Sequence, residues 1–278
     1  MNKLKLWDQH QSFDEAEKDW DLKASDAAAT NPIKKLGTLP NMVGMTPETA
    51  KNLKWKSLKW IVKEDRDRKI LKSILKHPIR YFKGYLKSFF KPKPFKRTGD
   101  FFLYGVDSLD SFKKLLKNPD NLFVLGFSYC HKPFECPSGR FTDACVHDLS
   151  NPVCKQCFIG KAVHALPVKQ SIPLFIPTIH YIGGKIFDII EENPGKQVLF
   201  VITACEMTLE MFGDLGNMVD IKGVGVRLDG RICNTMKAFE LSEKGIKPGL
   251  TVVLDDTQKE MMEIIRLRRD VMPKKENL

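Results

Sequence analysis

The chain has 278 residues, 42% of them hydrophobic and 28% charged, with a formal net charge of +11. That suffices for one sizeable core with appendages. The opening MNKLKLWDQHQSFDEAEKDW has no apolar stretch of the kind a secretory signal needs, and no uninterrupted apolar run is long enough to span a bilayer. An intracellular, cytoplasmic chain is expected, and in that compartment thiols stay reduced. Seven cysteines, an odd number, also argue against a paired disulfide framework.

Residues 1–50 carry few large apolar side chains and no sustained period, which predicts a mobile or extended N-terminal arm. Residues 51–98 differ in kind. From Lys51 to Arg97 there are 17 Lys and Arg against 3 Asp and Glu, a net of +14, so the remainder of the chain sums to 11 − 14 = −3. Ile70, Leu71, Ile74 and Leu75 form one helical stripe. Ile79, Phe82, Leu86 and Phe89 form a second, with Lys83 and Lys87 facing away and Pro78 as the boundary. A basic amphipathic helical segment of this kind suits an anionic membrane surface at the periphery of the bilayer. It equally suits simple docking on the core with solvated lysines. Nucleic acid ranks behind both, because no recognised nucleic-acid module accompanies Trp55, Trp60, Tyr81 and Tyr85. The proline-bearing stretch KPKPFKRTGD, 91–100, reads as a linker.

Residues 99–278 read as a Cys-rich α/β domain. The runs NLFVLGF (121–127), IPLFIPT (172–178), QVLFVIT (197–203), KGVGVRL (222–228) and LTVVLDD (250–256) predict strands. Amphipathic stretches alternate with them, and Ser108 is placed to cap the helix before the first strand. Near-continuous apolar strands between helices predict a mainly parallel sheet with helices on both faces.

Five cysteines fall between Tyr129 and Gly160: Cys130, Cys136, Cys145, Cys154 and Cys157. Cys130 follows the first of those strands, Cys205 follows QVLFVIT, and Cys233 lies in the loop after KGVGVRL. Ligands of open α/β sheets bind beyond the carboxyl ends of the strands, so these loops gather thiols at one edge, from which the 136–157 excursion also leaves. Taken singly, Cys205 and Cys233 would pass for small buried hydrophobes. Only Cys154 and Cys157 show the C-x2-C pairing of a structural zinc site; the other intervals are five, eight and eight residues. Iron–sulfur clusters accept thiolates from distant loops, and seven thiols allow one fully ligated 4Fe-4S cluster plus a second held by three. Iron–sulfur is the leading reading, zinc the alternative, and a thioredoxin-like dithiol at 154–157 the third.

The ordered motifs YCHKPFECPSGR, CKQCFIG, the pair Gly183–Gly184, TACEMTLEMFG and DGRICNT, over about 120–240, resemble a known family. It is the Cys-rich archaeal and bacterial family catalogued as domain of unknown function number one hundred and sixteen. The resemblance implies a set of seven cysteines and membrane association near the N-terminus, and implies no reaction. The basic amphipathic segment here departs from a clean apolar span.

Other signatures fail in part. GFSYC lacks the second glycine of a nucleophile elbow, and the G-x-G of GVGVRLDG sits inside a strand, where Gly223 and Gly225 permit close backbone packing. Gly183, Gly184 and Lys185 at a helix start are candidates to hold an anionic cofactor, against the plainer reading of a tight turn. Among polar residues beside thiols, Glu206 and Arg231 are the catalytic candidates, because their loops reach the expected edge. The expected function is that of an iron–sulfur protein, a redox or cluster-dependent oxidoreductase or lyase served by an electron-donor protein. The alternative is a zinc-stabilised binding module whose basic segment does the binding.

Overall fold

Strands that are apolar at every position are stable only between two covering layers. The computed structural model describes residues 6–10, 12–36, 44–65, 67–91 and 93–272. After a short 3-10 turn, Leu6–Gln9, come α1 (Phe13–Thr30), α2 (Pro47–Ala50), α3 (Leu53–Glu64), α4 (Lys69–Lys76) and α5 (Pro78–Phe89). The strand-bearing part follows as β1 (Lys96–Thr98), β2 (Phe101–Tyr104), α6 (Leu109–Leu116), β3 (Leu122–Ser128), α7 (Pro152–Gln156), α8 (Phe158–Ala165) and β4 (Ser171–Ile176). It closes with α9 (Ile179–Glu192), β5 (Val198–Ala204), α10 (Glu206–Met218), β6 (Lys222–Arg227), β7 (Asp229–Gly230), α11 (Met236–Ser242), β8 (Thr251–Val252) and α12 (Asp255–Asp270).

The six-stranded sheet has the order β1-β2-β6-β5-β3-β4. Pairs β6/β5, β5/β3 and β3/β4 are parallel, while β1/β2 and β2/β6 are antiparallel. One face buries Val124, Phe200 and Ile202 against α9 and α10, with α3, α4 and α5 packed behind as an outer layer. The other buries Leu125, Phe127 and Val201 against α6, α8, α12 and the N-terminal Trp7 and Trp20. From β3 the chain crosses to β4 through α8 on one face; from β5 it crosses to β6 through α10 on the opposite face. The adjacent strands β3 and β5 therefore flank the point where the winding reverses, and a crevice opens beyond their carboxyl ends.

Three expectations are corrected. In place of a mobile or extended arm, residues 13–30 form a capped helix: Ser12 Oγ accepts from Glu15 N at 3.2 Å while Glu15 Oε2 accepts from Ser12 N at 3.3 Å. Its buried positions are Ala16, Trp20 and Ala27, and two alanines give too weak a stripe to register as amphipathic. The rest of that expected arm, 1–5, 11 and 37–43, lies outside the described residues. LTVVLDD yields only the two-residue β8 in a separate pair with β7, because Asp255 and Asp256 already open α12. The expected linker 91–100 instead supplies β1, which pairs with the unanticipated β2. The two expected stripes of the basic segment do not face the core as units: Ile70 is buried and Ile74 and Phe89 half-buried, while Leu71, Leu75, Ile79, Phe82 and Leu86 face out and Ser73, Tyr81 and Ser88 face the core instead. Among the described residues no helix is long and apolar enough to cross a membrane.

Candidate metal centre

All seven cysteines are free thiols, and they fall into two groups. Cys136, Cys145, Cys154 and Cys157 line one narrow cavity with Lys132, His147, Ile159 and Gly160. Cys130, Cys205 and Cys233 line a second, at the crevice between the ends of β3 and β5, with Tyr129, Thr208, Ser242 and Glu243. The structure thus brings Cys130, Cys205 and Cys233 together at the strand ends, where the loops after β3, β5 and β6 place them.

The four-thiol cavity is shaped by α7 and α8. Asn151 Oδ1 accepts from Val153 N at 2.9 Å and starts α7, which buries Cys154. Cys157 is both the last residue of that turn and the N-cap of α8. Gly160 has no Cβ because the Cys154 carbonyl occupies that space, so α8 lies flush on α7. The loop 132–147 is fixed from inside by Lys132, 1% exposed. Its Nζ donates to Ala144 O and Thr142 O at 2.8 Å each and to Gly139 O at 3.3 Å. Burial lowers the Lys132 pKa, and Cys136, Cys145, Cys157 and Asp143 oppose that fall. Burial pushes the Cys157 thiol up to about 12 and raises Cys145 and Cys154 as well. Those shifts run opposite to the lowered thiol pKa a thioredoxin-like dithiol requires. His147, at φ 33°, turns its Nδ1 to Cys145 O at 2.9 Å, and its own carbonyl meets His164 Nε2 at 2.8 Å.

At the strand-end cavity, Cys205 is the N-cap of α10 and its Sγ lies 3.2 Å from Thr208 Oγ1. A hydrogen bond shared with Cys233 holds the Cys205 thiol well below the usual range despite burial, and raises Cys233 in return. Lys247 Nζ reaches Cys233 Sγ at 3.5 Å. Burial pulls Lys247 down, but the surrounding Cys130, Cys233 and Cys205 hold its pKa above the ordinary value. Glu243 Oε2 accepts from Ile179 N at 2.9 Å, and burial pushes this carboxyl up to about 8. Tyr129 Oη donates to Ser242 O at 2.6 Å. Thr251 Oγ1 donates to Cys130 O at 2.7 Å.

The two groups are fastened by Arg140, whose Nε donates to Lys132 O and whose Nη1 and Nη2 donate to the carbonyls of Lys247, Cys130 and Gly249, all at 3.1–3.2 Å. Among the described residues, no three His, Cys, Asp or Glu side chains stand together in ligating geometry. Each group is thiol-only and lies beside one lysine, Lys132 at the first and Lys247 at the second.

The other candidates are placed elsewhere. Glu206 turns away from the crevice into an ion-pair cluster, with Arg97 Nη1 at 2.9 Å and Arg227 Nε at 3.3 Å. Asp100 and Asp229 share that Arg227. Arg231 lies outside the residues lining either thiol cavity and pairs by its backbone with Leu250. Gly183 and Gly184 sit inside α9, where a Cβ would meet Ile70 Cδ1 and Lys69 Cδ at 3.1 Å. They serve the packing of α4 on α9, and Lys185 lies over the Tyr181 ring at 5.8 Å. His180 points to Ile61 O at 3.2 Å. Sequence reasoning missed Lys132, Arg140, Glu243 and Lys247; the first two lie within the cysteine-rich run itself. Compared with known proteins, the chain matches no family model, no curated protein and no solved structure.

Proposed function

We propose that the chain is an iron–sulfur protein with a structural or electron-relaying site and a working site. Cys136, Cys145, Cys154 and Cys157 would hold one cluster; Cys130, Cys205 and Cys233 would hold another at the crevice. The observation that carries this reading is the division of seven thiols into sets of four and three around separate cavities. Four thiolates saturate a cubane cluster, and three leave one metal position for a non-protein ligand. That position would face Glu243, Lys247 and the apolar walls from Ile176, Ile182 and Ile202. A neutral carboxyl and an ammonium beside an open metal position suit a redox or lyase reaction on an oxygen-bearing substrate. An electron-donor protein would serve the redox case. The resemblance to the Cys-rich family supports the seven-thiol set and adds no reaction.

A zinc-stabilised module is the second reading, favoured by the C-x2-C pair at 154–157 and by a loop that has little apolar filling of its own. Protein purified without oxygen decides between them. Brown protein with broad absorbance near ~400 nm and matching iron and acid-labile sulfide supports the clusters. Colourless protein with stoichiometric zinc overturns them.

A further inference from the structure

Helices α4 and α5 carry two apolar faces. The inner one is already covered: Ile70 and Tyr81 belong to the core, Ser88 Oγ donates to Asp214 Oδ1 at 2.9 Å, and Gly84 lies against the Met218 backbone. Among the described residues nothing covers the outer one. Leu71 and Leu75 are four apart on α4, and Ile79, Phe82, Leu86 and the C-cap Phe90 follow at spacings of 3, 4 and 4 on α5, so each helix carries one exposed apolar line. Ile79 is 84% exposed, Phe90 78%, Leu75 63% and Phe82 61%. A soluble chain scatters exposed apolar residues singly; a row of six demands a partner.

The identity of that partner is written in the neighbouring residues. Each member of the row is followed at once by a cation: Lys72, Lys76, Arg80, Lys83, Lys87 and Lys91. Lys76 is tied to Glu191 at 2.6 Å, while Lys72, Lys83, Lys87 and Lys91 are exposed. Between Ile70 and Arg97 the chain has no Asp or Glu. A nucleic acid would use the cations but would find no service for six large aliphatic and aromatic side chains. Apolar residues flanked throughout by cations match the boundary between acyl chains and anionic headgroups.

We propose that the outer face of α4–α5 docks on an anionic lipid bilayer surface, with Ile79 and Phe82 inserted at the centre of the row. The two helices lie on the surface without spanning it. Lys69 on Asp188 and Lys76 on Glu191 set α4 along α9, with the α4–α5 turn at His77 beside the C-terminal end of α9. This proposal does not depend on which metal the thiols hold.

The test is co-sedimentation of the full chain with phosphatidylcholine vesicles, with and without phosphatidylglycerol. Binding should require the anionic lipid and fall as salt screens it. Ile79→Ser with Phe82→Ser should weaken partition by at least about tenfold, and Lys83→Ala or Lys87→Ala by about fivefold each. Unchanged melting temperatures would show that these exposed substitutions spare the fold. Ile79→Trp should shift its emission to the blue on adding anionic vesicles only. Absence of vesicle binding, or binding that neither the Ile79→Ser/Phe82→Ser double variant nor the two lysine variants alter, overturns the proposal and leaves the row to an acidic protein partner.

Discussion

Replacing Arg140 with Met removes the guanidinium that joins the two thiol groups while keeping its aliphatic stem. Four hydrogen bonds to the carbonyls of Lys132, Lys247, Cys130 and Gly249 are lost, together with a stacking contact 4.5 Å from the Phe134 ring centre. At about 1 kcal/mol net per bond, and about 0.5–1 for the cation over the ring, the sum is about 4–5 kcal/mol. Arg140 is only half-buried, so water replaces some of those bonds and the expected loss is about 3–4 kcal/mol. In a chain of this size that lowers the melting temperature by roughly 10 °C. Arg140→Lys should fall between, since one ammonium cannot span carbonyls contributed by both sides. Thermal unfolding by circular dichroism measures the shift, and metal content shows where it acts. The strand-end site should suffer more, because three of the four acceptors lie at Cys130, Lys247 and Gly249. A melting temperature within about 2 °C of the parent would refute the reasoning, because water would then be replacing the guanidinium at all four carbonyls.

Cys154→Ser or Cys157→Ser should cost most of the metal and much of the fold, whereas Cys205→Ser or Cys233→Ser should leave a folded protein with partial metal; iron and sulfide counts on the four variants check this. Burial raises the Asp214 pKa from 3.8 against the pull of Ser88, so the unfolded carboxyl ionises first as pH rises and the native state loses relative stability from pH 3.8 up through the raised native value. Asp214→Asn removes that loss, and denaturant titrations should show the variant gaining on the parent from pH 4 to 7 and matching it most closely at the acid end. Gly84→Ala places a Cβ 2.8 Å from Met218 O and should cost about 1–3 kcal/mol by loosening α5 from α10, read as a lowered denaturation midpoint.

The parallel sheet was legible because β3 and β5 must be apolar throughout to sit between two helical layers, a requirement on composition that any single strand displays. The edge pair was not legible. β1, with all three residues exposed, has no such requirement, and its neighbours Pro92 and Pro94 masked it as a linker. The thiols that follow strands could be placed at one edge from sequence alone. The residues that serve them could not, for two reasons. Lysine is read as a solvated residue by default, and nothing local to Lys132 or Lys247 announces burial. Adjacency in sequence is also a poor guide at a helix start. Cys205 and Glu206 are neighbours, yet successive residues on a helix point about 100° apart, and Glu206 swings to Arg97 and Arg227. Gly183–Gly184 misled by the same local habit: a glycine pair suggests a turn, but here it clears space inside α9 for Ile70 and Lys69.

The lysines beside the thiols, Lys132 buried and Lys247 half-buried, bear on what the thiols are for. Desolvating an ammonium is costly unless negative charge accompanies it, and the three carbonyls around Lys132 supply hydrogen bonds but no charge. In a chain whose thiols stay protonated, Lys132 and Lys247 would weaken the fold at two places. Deprotonated sulfur reverses that balance: a metal that strips the thiol protons leaves net negative charge at each site, and the same lysine then contributes attraction in a low-dielectric setting. On the proposed reading, a bound metal at each site, zinc or iron, would offset both lysines. The strand-end set places three thiols at a crevice where α/β sheets bind ligands, beside the Glu243 carboxyl, the hydroxyls of Tyr129, Thr208 and Ser242, and apolar side chains, with Lys247 reaching Cys233. A structural zinc needs four protein ligands, so three thiolates there would hold either a cluster or a catalytic metal with one position left for a non-protein ligand, as the proposed function requires.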